Sequence, residues 1–232
     1  MREDFAAFIL THGRPDRLHT LRMLDEFGYT GKVFIVVDDE DKTRDEYLRL
    51  YGDRVLTFSK EEAEKITDTC DNFDGRKGVV YARNAIFGVA RAAGVKYFAM
   101  LDDDYTGLYF RFDAERRYGV WRAECLDEIL SAFLEYFETI PALSICFSQG
   151  GDHIGGASGS FGDEITAKRK AMNTFICDTE RPFRFVGRVN EDVNTYVSGG
   201  RRGPCARASS SAPAGARPRR RPRWRRGPCA SH

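Results

Sequence analysis

At 232 residues the chain has room for one large domain or two small ones, and its 42% hydrophobic content is ordinary for a soluble globular protein. No apolar run approaches the roughly 18 residues of a membrane span, and Met1-Arg-Glu-Asp-Phe5 lacks a signal peptide's apolar core, so a cytoplasmic protein without a membrane partner is expected. The net charge of +1 conceals an asymmetry: residues 201–232 hold ten Arg and no acid, which leaves 26 Lys and Arg against 35 Asp and Glu, a charge of −9, in residues 1–200.

Phe5–Leu10 is a short apolar run that reads as a central strand, followed by the loop Thr11-His12-Gly13-Arg14-Pro15. Pro15 suits the first turn of a helix, Leu18, Leu21, Leu24 and Phe27 recur at helical spacing, and Gly28 stops it. Lys32–Val37 is a second buried strand running into Asp38, Asp39, Glu40 and Asp41. A charged helix over about 43–51, a short strand over 54–58 and a helix opened by the capping-box-like Ser59-Lys-Glu-Glu62 come next. Residues 67–78 read as loop, and a helix over about 79–93 carries Arg83 and Asn84 in its first turns.

The strand Tyr97–Leu101 then runs out into three consecutive carboxylates, Asp102, Asp103 and Asp104. Its near-continuous apolar run is that of a strand covered on both faces of an α/β sheet, whose ligands bind at the carboxyl ends of the strands. Three carboxylates crowded there repel one another unless a cation or bound group offsets the charge. Hard divalent ions such as Mg2+ or Mn2+ fit, with substrate phosphates completing the ligand set; a solvated acidic turn or helix cap is the plainer alternative. The order β-α-β-α-β-α-α-β up to this point predicts an α/β fold with a mostly parallel sheet flanked by helices. Neither GxGxxG nor a Walker A sequence is present.

Beyond the acids, a strand over Gly107–Phe112, an amphipathic helix over Glu124–Glu138 and a strand over Ala142–Phe147 are expected. A glycine-rich loop, 149–162, is long enough to be a lid or binding loop or to be disordered. A strand over Met172–Cys177 and a helix beginning near the acidic pair Glu191-Asp192 follow. The cysteines show no CxxC spacing, and Cys146 and Cys177 lie in apolar strands, so free thiols in a reducing compartment are expected. From Gly199 the chain is Arg, Pro, Ala, Gly and Ser without Ile, Leu, Val or Phe, which predicts a domain over 1–198 and a disordered basic tail over 199–232. The abrupt change is that of an out-of-frame or otherwise replaced terminus, or of a natural basic tail for nucleic acid.

The loop 11–15, Asp38-Asp39, Arg83-Asn84, the Asp102–Asp104 stretch and Asn190-Glu191-Asp192 together resemble a GT-A-fold glycosyltransferase that uses a nucleotide sugar. More closely, RKAMNTFICDTERPFRFVGRVNEDVNTYV, with FILTHGRPDR and YARNAIF, is similar to the TET/JBP-associated DNA glycosyltransferases of phages and bacteria, over about residues 5–198. The resemblance implies a UDP-glucose-like donor, Mn2+ or Mg2+, and an acceptor 5-hydroxymethyl-pyrimidine in DNA, in a phage-infected or bacterial cell. It implies that Thr11, His12, Arg14, Asp38 and Asp39 border the nucleotide's base and ribose, that Asp102 and Asp103 meet the donor, and that Asp104, with Asp102, ligates the metal. Arg83 would pair with the diphosphate or orient the acids, with Asn84 beside it, and Glu191 or Asp192 would be the general base. The family's further metal ligand, often His, has no counterpart in the Arg/Pro tail.

DNA phosphates need cations, for which the sequence offers Lys168, Arg169, Lys170, Arg181, Arg184 and Arg188, with Arg111, Arg116 and Arg117 as a second group. Two other readings stand beside the transferase: a sugar-phosphate nucleotidyltransferase, and a nucleic-acid-binding module using the basic tail.

Overall fold

The computed structural model describes residues 1–113, 115, 117–153, 155–158 and 174–200. The strands β1 (Phe5–Leu10), β2 (Lys32–Asp38), β3 (Val55–Phe58) and β4 (Tyr97–Asp102) pair in parallel in the order β3-β2-β1-β4. Beside β4 the later strand β8 (Phe175–Asp178) runs antiparallel, and β7 (Ser144–Cys146) closes the six-stranded sheet against it. A separate hairpin pairs β5 (Tyr109–Phe112) with β6 (Tyr118–Arg122). This is the expected α/β arrangement of a mostly parallel sheet between helices.

The apolar runs form strands because both of their faces are covered. Odd positions Phe5, Ala7, Ile9, Ile35, Val37, Tyr97, Ala99 and Leu101 join a core with helix α1 (His19–Glu26) and helix α5 (Leu126–Glu138). Even positions Ala6, Phe8, Leu10, Val36, Phe98 and Met100 join the other core, under helix α4 (Val80–Ala92), with Phe175, Cys177 and Phe185. Period-two alternation thus sends every second side chain into a different core. Helix α2 (Arg44–Tyr51) and helix α3 (Lys60–Lys65) flank the β3 side, and Ser59 caps α3 by accepting from the Glu62 N–H at 3.3 Å.

From β1 the chain moves outward to β2 and β3, then returns to lay β4 on the opposite side of β1. The strand order therefore reverses between β1 and β4, and the carboxyl ends of these two strands open the crevice where ligands of such sheets bind. Thr11 and the Asp102–Asp104 stretch stand at that place.

Several expectations are corrected in detail. Helix α1 begins at His19 rather than near Pro15, because residues 15–18 are spent on turns, the Arg17 N–H bonding to the Arg14 carbonyl at 3.1 Å. Strand β5 begins at Tyr109, β7 spans only Ser144–Cys146, and β6 was not anticipated at all. Only short 3-10 turns at Gly150–His153 and Gly156–Ser158 are described from the glycine-rich segment. Residues 159–162 of that loop, Met172, Lys168, Arg169, Lys170, Arg116 and the tail 201–232 lie outside the described residues. Among the described residues no helix is long and apolar enough to cross a membrane. Cys146 and Cys177 are buried and in no disulfide among the described residues; Cys70 is exposed.

Candidate active site

Residues at the end of β1 are organised by two networks. Thr11 donates to Asp103 Oδ2 at 2.7 Å and meets the Tyr47 hydroxyl at 2.8 Å, while the same hydroxyl accepts the Arg14 N–H at 2.9 Å. Tyr47 comes from α2 and is fully buried, so one phenol fixes the backbone of the loop that carries His12 and Arg14. Gly13 takes φ +70°, a left-handed conformation that a side chain would strain, and its N–H donates to Asp41 Oδ2 at 2.8 Å. Burial raises the Asp41 carboxyl, but hydrogen bonds from Thr43 and Gly13 outweigh it and hold the pKa below the ordinary value.

The second network lies at the end of β2. His12 Nδ1 is 2.7 Å from Asp38 Oδ2 and 3.5 Å from Asp41, with its ring more than half exposed. Buried Lys60 reaches the other oxygen of Asp38 at 3.2 Å, and its backbone N–H donates to Asp39 Oδ1 at 2.9 Å. Asp38 is therefore held between two basic groups, and Asp39 anchors the start of α3.

The acid cluster after β4 is tied down from the opposite side by Thr20 of α1. Its hydroxyl donates to the Asp102 carbonyl at 2.5 Å and accepts the Tyr105 N–H at 2.9 Å, and its N–H donates to the Asp103 carbonyl at 3.1 Å. The three carboxylates then diverge. Asp103 is buried against Thr11 and 3.5 Å from Arg14 Nε. Asp102 turns to Arg83 Nη2 at 3.3 Å. Asp104 is exposed and accepts no hydrogen bond among the described residues.

Arg83 is the joint of the site. Its guanidinium is buried between the rings of Phe175 and Phe185, each 5.6 Å away, and it spans two acids: Asp102 on one side and Glu191, at 2.8 Å from Nη1, on the other. The contact with Glu191 is an ion pair outside hydrogen-bond geometry, so Nε and Nη1 are buried donors without a hydrogen-bond acceptor among the described residues. Burial pushes the Asp102 carboxyl up to about 6, although Arg83 pulls it down; Asp104 and Glu191 add to the rise.

Glu191 and Asp192 open helix α6 (Glu191–Gly200), where their charge favours the helix N-terminus. Asn190 before them takes φ +53°, and its carbonyl accepts the Asn194 N–H at 2.9 Å. The approach to this turn is clamped by Asn84, whose amide accepts the Phe185 N–H at 2.8 Å and donates to the Phe185 carbonyl at 3.0 Å and to Thr67 at 3.0 Å.

Residues 5–208 match the family model for TET-associated glycosyltransferases. The chain belongs to that family. Of the readings that the sequence left open, membership selects sugar transfer over nucleotidyl transfer, and the enzyme is a glycosyltransferase. No curated protein matches it by sequence. Among solved structures it is similar to glucosyl-3-phosphoglycerate synthase from Mycobacterium tuberculosis in complex with UDP, at 12% identity and a TM-score of 0.44, over 95% of this chain and 73% of that one. It is also similar to the same synthase with Mn2+, UDP-glucose and phosphoglyceric acid, at 9% identity and a TM-score of 0.36, over 77% and 57% of the two chains. Likenesses this distant carry no functional argument.

Within the glycosyltransferase, the fold draws Thr11, His12, Arg14, Asp38, Asp39, Arg83, Asp102, Asp103, Asp104 and Glu191 to one edge of the sheet. Asn84 stands apart from this group, since its amide is committed to Phe185 and Thr67. Arg188, expected at DNA phosphates, is instead wrapped by the loop 71–77: it pairs with Asp71 at 3.0 and 3.1 Å and donates to the carbonyls of Phe73, Gly75 and Lys77. Arg184 is near the Asn84 carbonyl at 3.4 Å, and Arg181 pairs with Asp178 at 3.0 Å. Tyr47, Thr20, Lys60 and Asp41 belong to the site as supports that the sequence did not single out.

A divalent ion such as Mg2+ takes one or two carboxylate ligands and completes its shell with substrate phosphates and water. The exposed carboxylate of Asp104, with Asp102 beside it, suits such a shared site. Among the described residues no group of three or more His, Cys, Asp or Glu is arranged to hold a metal alone.

Proposed function

We propose that this glycosyltransferase moves a sugar from a nucleotide-sugar donor, UDP-glucose or a similar UDP-sugar, to the hydroxyl of a 5-hydroxymethyl-pyrimidine in DNA, with Mn2+ or Mg2+. The observation that carries the reading is the division of labour among the three acids at the β1/β4 switch point. Asp103 is spent on the fold and Asp102 is drawn toward Arg83 without being covered, while Asp104 faces solvent with its oxygens open.

In the reaction the acceptor hydroxyl oxygen bonds to the anomeric carbon as the bond from that carbon to the diphosphate oxygen breaks. The electron pair leaves with the nucleoside diphosphate. A cation bound at Asp104 and Asp102 supplies charge stabilisation for that leaving group. His12, Arg14, Asp38 and Asp39, on a loop and a strand end fixed by Tyr47 and Lys60, border the nucleotide. Arg83 is a positioning residue that holds Asp102 on the donor side and Glu191 on the acceptor side at a fixed separation. Glu191 or Asp192 takes the hydroxyl proton, which requires an approach of about 3 Å.

Titration calorimetry of UDP-glucose with Mn2+ tests the donor half. The wild type binds only with the metal present, and Asp104→Ala loses that binding. Equal affinity in the presence of a chelator, or an unchanged Asp104→Ala, would contradict it.

A further inference from the structure

The hairpin β5–β6 leaves the acid cluster directly, with four residues between Asp104 and Tyr109. At about 3.5 Å per extended residue its first strand starts no more than about 18 Å from Asp104. Its root is fastened: the Ala123 N–H donates to the Leu108 carbonyl at 2.9 Å, and Leu108 packs against the α1/α5 core. Its blade is not covered. Tyr109, Phe110, Val120 and Trp121 are 51%, 38%, 56% and 42% exposed, an unusual concentration for two short strands.

Trp121 sits directly across from Phe110 in the register, and its indole lies over Gly119 so closely that a Cβ there would stand 2.2 Å from the ring. A side chain at 119 would displace the ring, so glycine there leaves Trp121 room beside its own strand. Residues 109–122 also contain four Arg against one Asp and one Glu, in a body whose residues 1–200 carry −9. Arg117 is paired with Asp113 at 2.7 Å and Arg122 with Glu26 at 3.6 Å, whereas Arg111 has no ion pair among the described residues.

We propose that this hairpin is the docking surface for the nucleic-acid strand that carries the acceptor base. Unpaired bases next to the target stack on the cross-strand pair Phe110 and Trp121, and Arg111 meets the phosphates. Exposed aromatics interleaved with arginine are what a strand with unstacked bases requires, and stacking tolerates any base because each has a π face. A second copy of the chain suits the surface less well. Three half-exposed aromatics and a valine offer only about 350 Å2, against about 800 Å2 per partner in a standard interface. The inference rests on the DNA-acceptor reading of the proposed function.

The test uses the full chain with Trp224→Phe, so that Trp121 is the only indole of the two in the sequence. Titration with a short single-stranded oligodeoxythymidylate is expected to quench the indole emission saturably. Adding Phe110→Ala, with thermal melting as the fold check, is expected to weaken the half-saturation roughly 5- to 150-fold, the effect of losing one stacked base. An abasic strand of equal length reaches the arginine tail but has no base to stack, and should leave the emission unchanged. Equal quenching by the abasic strand, or none at concentrations that saturate the anisotropy of a labelled strand, would overturn the proposal. So would a dimer in sedimentation that Tyr109→Ala dissociates, which would give the surface to a second copy. UDP-glucose titration needs no strand, so a failure here and a failure at the donor site are read separately.

Discussion

Replacing Arg83 by Met keeps the aliphatic length that fills the space between Phe175 and Phe185 and removes only the cation. Asp102 and Glu191 are then left facing each other across a buried gap, with no positive group between them. Removing one partner of a buried ion pair costs about 3–5 kcal/mol, a large fraction of the roughly 5–15 kcal/mol that holds a domain together. The loss depends on pH with a defined sign. The folded pKa of Asp102 is raised from 3.8 to about 6, so its contribution is fully present below the unfolded value and is lost as pH rises through about 6. That shift corresponds to about 3 kcal/mol at most, and without Arg83 the carboxyl rises further and takes up a proton more readily. Urea denaturation of wild type and Arg83→Met at about pH 5 and about pH 8 should therefore show the smaller deficit at the lower pH. In thermal melts the deficit at the higher pH corresponds to a fall of roughly 6–20 °C. A deficit below about 1 kcal/mol at the higher pH, or an equal deficit at both, would refute the joint assigned to Arg83.

Asn84→Ala leaves the buried N–H and carbonyl of Phe185 without partners, and should cost about 2–4 kcal/mol in urea denaturation; a loss under about 0.5 kcal/mol would remove the clamp from the account. Arg188→Ala releases the loop 71–77, so trypsin should cut after Arg76 or Lys77 roughly tenfold faster while the melting temperature changes little. An unchanged cleavage rate would show that the loop is held by something else. Tyr47→Phe removes the hydroxyl that meets Thr11 and accepts from Arg14, and is expected to weaken UDP-glucose binding by roughly 5- to 10-fold in calorimetry, the worth of a net hydrogen bond of about 1 kcal/mol. Unchanged binding would separate the loop's order from donor affinity.

The parallel half of the sheet was legible because β1, β4 and the second half of β2 are buried on both faces and their sequences are nearly unbroken apolar runs. Strand β6 was not, since Tyr118-Gly-Val-Trp-Arg122 is exposed along much of its length and has no face whose burial would impose a pattern. Pro15 pointed to a helix start, yet turns claim residues 15–18 and α1 begins four residues later. At the site, the carboxylates showed themselves by standing at strand ends. Their supports did not: Thr20 meets Asp102 and Tyr105 across more than 80 residues, Lys60 meets Asp38 across 22, and Tyr47 meets Thr11 across 36. Such contacts are set by the packing of α1, α2 and α3 on the sheet, which no local spacing encodes. The internal anchoring of Arg188 was hidden for a related reason. An arginine beside acids reads equally as a phosphate ligand or as an internal anchor, and only the path of the loop 71–77 around it decides.

The central claim is sugar transfer to a hydroxymethylated base, and mass spectrometry of the acceptor tests it most directly. The enzyme is incubated with UDP-glucose, Mn2+ and an oligonucleotide bearing one 5-hydroxymethylcytosine, beside the same strand with cytosine. The account predicts a gain of one hexose on the hydroxymethylated strand alone, abolished by Asp104→Ala and by a chelator. A hexose gain on both strands, or none on either while UDP-glucose binds in a metal-dependent way, would contradict it.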